Sequence, residues 1–316
     1  MFSRFWYFVL AAVAAAAMAA AYLVQATTHR NSEQSLDEAL RRDRFEVELW
    51  MSLDDHARID AIGPMTTNAD VKTVITEANG RAANASVAAG SKQHLEATLT
   101  QLNRQLAEGA ADVLVALDHT GAIIAQVGGG AVPANATLHD LDFVASALAG
   151  DAKSAIWMRD GQPLRAAARP VFSGGSVIGV IVHAMAIDDD LARRLAEHVA
   201  GSSIGFFHGD HVVASAAGQG SSAATDRAAM QGSLGAARTN PELRTNGRTG
   251  LVDLPTGAKS IFALFPGQPA EGALGFVVAR PSTTTSSPFG TLASAPSQDV
   301  AGLPWPAILG VPLLCA

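Results

Sequence analysis

Val113-Leu-Val-Ala-Leu-Asp-His-Thr-Gly-Ala-Ile-Ile-Ala-Gln126 decides how this chain reads. Two apolar, partly β-branched runs flank Asp118-His-Thr-Gly121, whose glycine supplies the positive φ that a tight turn needs. The pattern predicts a β-hairpin with strands over Val113–Leu117 and Ile123–Val127. The plan returns in Ser203-Ile-Gly-Phe-Phe-His-Gly-Asp-His-Val-Val-Ala-Ser-Ala216. After the first hairpin, Gly128-Gly-Gly130 breaks the run and Leu138–Ala149 predicts a helix ended by Gly150. Strands follow over Ser154–Arg159, Leu164–Phe172 and Val177–Ile187, with turns at Asp160-Gly161 and Gly174-Gly175. Asp188–Val199 predicts a connecting helix, with Asp188-Asp-Asp190 at its positive end. After the second hairpin come a weak helical stretch, Ala224–Gly232, and strands over Arg248–Leu254, Lys259–Phe265 and Leu274–Val278. This order predicts an α+β protein with two antiparallel-sheet modules in tandem, 63–187 and 188–281.

Composition bounds the function. A length of 316 residues leaves room for about two domains. The chain is 48% hydrophobic and only 16% charged, which suffices for a core. Its net charge is −7, and no basic run exceeds Arg41-Arg42 or Arg193-Arg194, so a nucleic-acid partner has no electrostatic footprint. The single cysteine, Cys315, excludes a disulfide within the chain and a cysteine-based metal site.

Upstream of the strands, Phe5–Val24 runs about 20 residues without a charge and predicts a transmembrane helix. Trp6, Tyr7 and Tyr22 sit near its ends, where amphipathic rings favour the interface. Residues 1–27 then read as a cytoplasmic start and a membrane anchor. A cleavable signal peptide, with small-residue sites near Ala17–Ala21, is the other reading. Both readings export the chain beyond the segment. The expected location is the bacterial plasma membrane, with one N-terminal span and the bulk in the periplasm or outside the cell.

Thr28–Ile62 predicts a long membrane-proximal helix, with Leu36, Leu40, Val47, Trp50 and Met51 at helical spacing. Asp37 and Arg41, like Glu38 and Arg42, stand one turn apart on a solvated face. Gly63-Pro64 stops it. Short helices come next over Asn68–Ala78, with Asn68 as N-cap, and over Ser91–Glu108. Residues 282–302 read as a linker. Residues 303–316 are apolar but short, with Pro304, Pro306 and Pro312. They read as the start of a truncated second membrane helix, or as a frame-shifted or disordered tail.

Ala168-Arg-Pro-Val-Phe-Ser-Gly-Gly-Ser-Val-Ile-Gly-Val-Ile-Val-His-Ala-Met-Ala-Ile-Asp188 resembles the closing hairpin of extracellular Cache (PAS-like) sensor domains. Ile204-Gly-Phe-Phe-His-Gly-Asp-His-Val-Val-Ala-Ser215 resembles the opening hairpin of a second such module. The likeness spans Thr28–Pro281 and implies a double Cache architecture. Such domains lie outside the bacterial membrane on histidine kinases, chemoreceptors and cyclic-nucleotide enzymes, where they bind small molecules and move membrane helices. The resemblance therefore implies a non-enzymatic sensing region with its output domain elsewhere. Some members bind amino acids through an aromatic- and Arg-containing motif. Trp157 and Arg159 match its residue types but not its spacing. The long helix also leads us to expect a homodimer.

Strand alternation nominates a ligand site. Trp157 and Arg159 share one face of their strand, Arg165 and Arg169 share one face of the next, and His183 lies on the third. If these faces coincide, they form a cationic, partly aromatic cleft for a small carboxylate-bearing ligand. The alternative reading leaves Arg159 and Arg165 solvated, with Trp157 and His183 in the core. His208, Asp210 and His211 cluster at a tight turn without a further ligand, so no metal is expected. Gly201-Ser-Ser-Ile-Gly205 matches the G-x-S-x-G string, but with a helix predicted before the serine and a strand after it, the reverse of a nucleophile elbow. It leaves a second reading, an anchored envelope hydrolase using Ser203. A ligand-free structural envelope protein is a third. Gly218-Gln-Gly-Ser-Ser-Ala223 imitates a dinucleotide fingerprint without the βαβ unit it requires, so no cofactor is expected. The first module, which holds the Trp/Arg/His residues, is the one expected to bind ligand. The second is expected to relay motion toward the membrane.

Overall fold

In a computed structural model, residues 2–80, 88–106, 109–129, 136–199, 201–218, 226–266 and 274–282 are described. The first helix, α1, runs Phe2–Ala61, so its backbone stays helical through the apolar segment as well as the predicted 28–62. Apart from Val13, side chains before Ser32 lie outside the described residues, and so do residues 283–316. Nearly all side chains of the expected membrane anchor, most of the linker and the apolar end therefore fall outside them. Among the described residues no helix is long and apolar enough to cross a membrane. The chain divides into two units, residues 1–39 with 282–316, and Leu40–Pro281. Both predicted sheet modules belong to the second unit.

Gly63-Pro64 both ends α1 and opens α2 (Gly63–Thr67), because proline fits the first turn of a helix, where its missing N–H is not needed. The Asn68 side chain accepts hydrogen bonds from the Asp70 and Val71 amides, at 2.9 and 3.1 Å, and so caps α3 (Ala69–Asn79). Helix α4 spans Ala89–Gln105.

The predicted hairpin forms as β1 (Val113–Asp118) and β2 (Ile123–Gly128). The Asp118 carboxylate accepts from the Thr120 and Ala122 amides, at 2.8 and 2.9 Å, and Gly121 takes φ +83°. Helix α5 (Asp142–Leu148) leads to β3 (Lys153–Arg159), β4 (Gln162–Ser173) and β5 (Ser176–Ala186). The five strands form one antiparallel sheet in the order β2-β1-β5-β4-β3.

Asp188 caps the connecting helix α6 (Asp189–His198) through the Leu191 amide. The second sheet contains β6 (Ser203–His208), β7 (His211–Ala216), β8 (Val252–Asp253), β9 (Lys259–Leu264) and β10 (Leu274–Arg280). Its order, β7-β6-β10-β9-β8, repeats the first sheet strand for strand. Between β7 and β8 lie α7 (Arg227–Thr239) and α8 (Pro241–Asn246), more helix than the sequence predicts. Gly232 and Gly235 weaken the helical signal there, since each costs about 1 kcal/mol relative to alanine. Gly232 has a packing role: a Cβ there would stand 3.0 Å from the Pro255 ring.

Apolar clusters fill the modules. On one face of the first sheet, Val71, Ile75, Leu95 and Leu99 of α3 and α4 pack on Leu114, Ala167 and Ile181. On its other face, Phe143, Val144 and Ala147 of α5 pack on Val115, Trp157, Ala166 and Val182. In the second module, Met230 and Leu234 of α7 and Leu243 of α8 pack on Phe207, Phe262 and Val277. Each large side chain buried this way contributes about 1.5–3 kcal/mol before entropy is subtracted.

Candidate functional site

Register determines which predicted site residues can meet. Trp157 pairs with Leu164 across β3 and β4, and both belong to the cluster under α5. Arg159 is two residues further along β3, so it shares that face. Arg165 and Arg169 alternate with Leu164, Ala166 and Ala168 and therefore face the opposite way, toward α1. His183 pairs with Ala167 and lies on the α1 side too. The sheet thus divides the five residues into a pair under α5 and a trio against α1. The faces of β3 and β4 do not coincide as a single cleft would require, because Trp157 lies opposite Leu164 and not opposite Arg165.

Two of the trio, Arg165 and Arg169, are committed to the long helix. Arg165, only 3% exposed, pairs with Asp54 and donates to Asp55 at 3.2 Å. Its guanidinium lies 5.6 Å from the Trp50 ring centroid. Arg58, also buried, donates to the same two carboxylates at 2.6 and 2.8 Å. Burial, reinforced by Arg58, lowers the Arg165 pKa to about 10, while Asp54 and Asp55 oppose the fall. Arg165 therefore stays charged at neutral pH. Arg169 donates to the Ile59 carbonyl at 2.9 Å and lies 3.6 Å from Asp60. His183 is fully buried and its Nε2 donates to the Gly109 carbonyl at 2.9 Å, which makes Nδ1 the unprotonated nitrogen. Burial brings its pKa down to about 4 against the pull of that hydrogen bond, so the ring is neutral.

The other face is shaped differently. Strands β2 and β3 are opposite edges of the sheet. Yet a Cβ on Gly129, just beyond β2, would stand 2.8 Å from Arg159 Nη1 and 2.8 Å from Val113. The sheet therefore curls around this face until its edges approach. The Arg159 guanidinium also lies 5.4 Å from the Trp157 ring centroid, within cation–π range. Ala166, Ala168 and Ala184 form a floor of small side chains, with Phe143 of α5 packed over it. Arg159 and Trp157 stand at the edge of this buried layer, and a guanidinium beside an indole ring suits a carboxylate.

Sequence reasoning missed a second anchoring node. Asp43 of α1 is 2% exposed, and its carboxylate accepts from Ser202 Oγ at 2.6 Å and Arg280 Nε at 2.6 Å. Arg280 also donates to Ser202 Oγ at 2.8 Å. A charged residue on the apolar seam beside Leu40 and Val47 was the available signal. Its partners, 159 and 237 positions away, left none.

The remaining motifs find plain places. Ser203 is fully buried on β6, follows α6 and receives the Gly218 amide at 3.4 Å, a setting unlike an exposed nucleophile elbow. His211 and Asp210 are exposed at the second hairpin turn. Among the described residues no three His, Cys, Asp or Glu side chains are grouped to hold a metal.

No protein-family model matches the chain, and no curated protein matches it. Solved structures do. The sensor domain of the V. cholerae histidine kinase DctB is similar at 15% identity and TM-score 0.49, covering 78% of this chain and 98% of that one. A domain of a Vibrio parahaemolyticus sensory box/GGDEF family protein is similar at 12% identity and TM-score 0.49, covering 80% and 98%. The ligand-binding domain of the Pseudomonas fluorescens chemoreceptor CtaA, solved with L-serine, is similar at 14% identity and TM-score 0.43, covering 80% and 98%.

Proposed function

We propose that this chain is the extracytoplasmic small-molecule sensing region of a bacterial transmembrane signal-transduction receptor, of double Cache type. The observation that carries the reading is one helix serving two sheets. Charged contacts bind the first sheet to α1 at Asp54, Asp55 and Ile59, and the second at Asp43. From Asp43 to Arg58 is about 22 Å at the helical rise of ~1.5 Å per residue. The second module thus grips α1 nearer the N-terminal apolar segment, and the first grips it farther away. In this reading residues 1–27 anchor the chain in the plasma membrane and the bulk lies in the periplasm. Residues 63–187 form the membrane-distal ligand-binding module and 188–281 the membrane-proximal relay. A small carboxylate-bearing ligand meets Arg159 and Trp157. Arg165 and Arg169, beneath the same sheet, pass its shift to α1, and His183 lies buried on the same side. A ligand moves such a device only through different affinities for its two arrangements.

The test is a thermal-shift screen of the full chain in nanodiscs against small carboxylates and neutral analogues of the same size. A saturable rise in Tm for a carboxylate, lost in Arg159→Ala and Trp157→Ala, is expected. A screen with no stabilising compound, or a shift indifferent to both substitutions, overturns the assignment.

The sensing region is also proposed to act as a homodimer. Phe45, Leu49 and Leu53 follow one another at four-residue spacing along α1 and are 58%, 48% and 62% exposed. Such a stripe on one helix face fits the same stripe of a second copy. Light scattering on the full chain should show a dimer that Leu49→Glu converts to monomer. A monomeric parent refutes it.

A further inference from the structure

The second module carries a cleft of its own. It encloses about 350 Å³ between α1, α8 and the end of β9. Arg44, Arg244 and Arg248 line it, with Glu48 and the apolar side chains Leu243 and Phe265. Arg44 and Glu48 satisfy each other as an ion pair one turn apart on α1. Arg244 and Arg248 are exposed and, among the described residues, enter no ion pair. Leu243 and Phe265, 3% and 7% exposed, form a rigid wall beside them. Three guanidinium groups against one carboxylate leave two positive charges in a concavity, on a chain whose net charge is −7. Low-dielectric walls focus that potential, and two unpaired guanidinium forks suit planar or tetrahedral anions.

We propose that this cleft is a second small-molecule site, taking a compact dianion such as a short dicarboxylate or a phosphate. It is separate from the Trp157 face and does not depend on that reading. Its walls come from different parts of the fold, Arg44 from α1 and Arg244 and Arg248 from the second module. An anion held by all three bridges the module to the helix. It stabilises the arrangement in which they lie close, and it can do so alone or together with a ligand at the first module.

The experiment uses the full chain in nanodiscs at low ionic strength, by thermal shift and calorimetric titration. The probes are malonate and inorganic phosphate as dianions and acetate as the monoanion. Saturable binding of malonate, phosphate or both, with acetate at least about tenfold weaker, is expected. Malonate alone identifies a dicarboxylate, and phosphate alone an oxyanion. Arg244→Gln/Arg248→Gln should weaken binding at least about tenfold, while Trp157→Ala leaves it unchanged. Both arginines are exposed, so the variant keeps its fold, which circular dichroism checks; Arg44→Gln supplies an independent variant. No saturable binding of either dianion, acetate binding as well as they do, or binding that survives the double substitution overturns the proposal. Loss in Trp157→Ala with retention in the double variant assigns the anion to the first module instead, and overturns it as well.

Discussion

The first and second sheets share a strand order, but the faces they turn away from α1 are furnished differently. In the first, Ala166, Ala168 and Ala184 are buried with Val115 and Val182 under a seven-residue helix, with Trp157 and Arg159 at the edge. In the second, the Phe207 and Phe262 rings pack at 5.9 Å with a 58° tilt under the thirteen-residue α7 and the six-residue α8. Large rings meeting two helices make a thick core. Small residues under the seven-residue α5 make a thinner layer, with Trp157 and Arg159 at its edge. One topology therefore carries two differently furnished faces, and side-chain volume on equivalent strands separates them.

That contrast can be broken most forcefully at the largest side chains. Phe262→Ala should destabilise the second module by about 3–5 kcal/mol, through lost transfer energy and a cavity under α7. Arg165→Met should cost somewhat less, about 3 kcal/mol, because it removes a buried charged hydrogen-bond donor but leaves the partly exposed Asp54 and Asp55 paired with Arg58. Denaturant titration of the full chain measures both. A cost below about 1 kcal/mol in either would mean that the face concerned is not held as described.

A smaller effect separates the modules by pH. The folded-state pKa of His183 lies near 4, below its ordinary value of about 6.5. The unfolded chain therefore binds the proton first, and His183 favours folding fully above about pH 6.5. That contribution fades as pH falls toward 4 and amounts to about 3 kcal/mol. His183→Gln should flatten the stability–pH curve of the first module across this window. An unchanged slope would place the acid sensitivity elsewhere.

The smallest effect sharpens the ligand assignment. Ala168→Leu adds volume to the buried layer beside Trp157 and Arg159 and should cost about 1–3 kcal/mol by overpacking. It should also abolish the carboxylate-induced Tm shift. A shift that survives it would move the ligand off this face.

Much of this was legible in the chain. The Asp118–Gly121 turn, the alternating runs beside it and their repeat at Ser203 specify hairpins through local sterics alone, and Asn68 and Asp188 announce helix starts by hydrogen bonds to amides two and three residues on. The α+β class followed, as did the tandem arrangement and the pairing of Trp157 with Arg159 on one strand face. Helix α7 was underestimated because Gly232 reads as a helix breaker until Pro255 is seen against it. Tertiary structure alone decided how strand faces combine: cross-strand register set Trp157 opposite Leu164, and so sent Arg165 and His183 to the α1 side. It alone revealed the Asp43–Ser202–Arg280 node and the curl that brings Arg159 to Gly129. The division has a physical cause. Turns, caps and alternation depend on neighbours a few residues apart, whereas register, curvature and long-range ion pairs depend on how distant segments bury their apolar faces together.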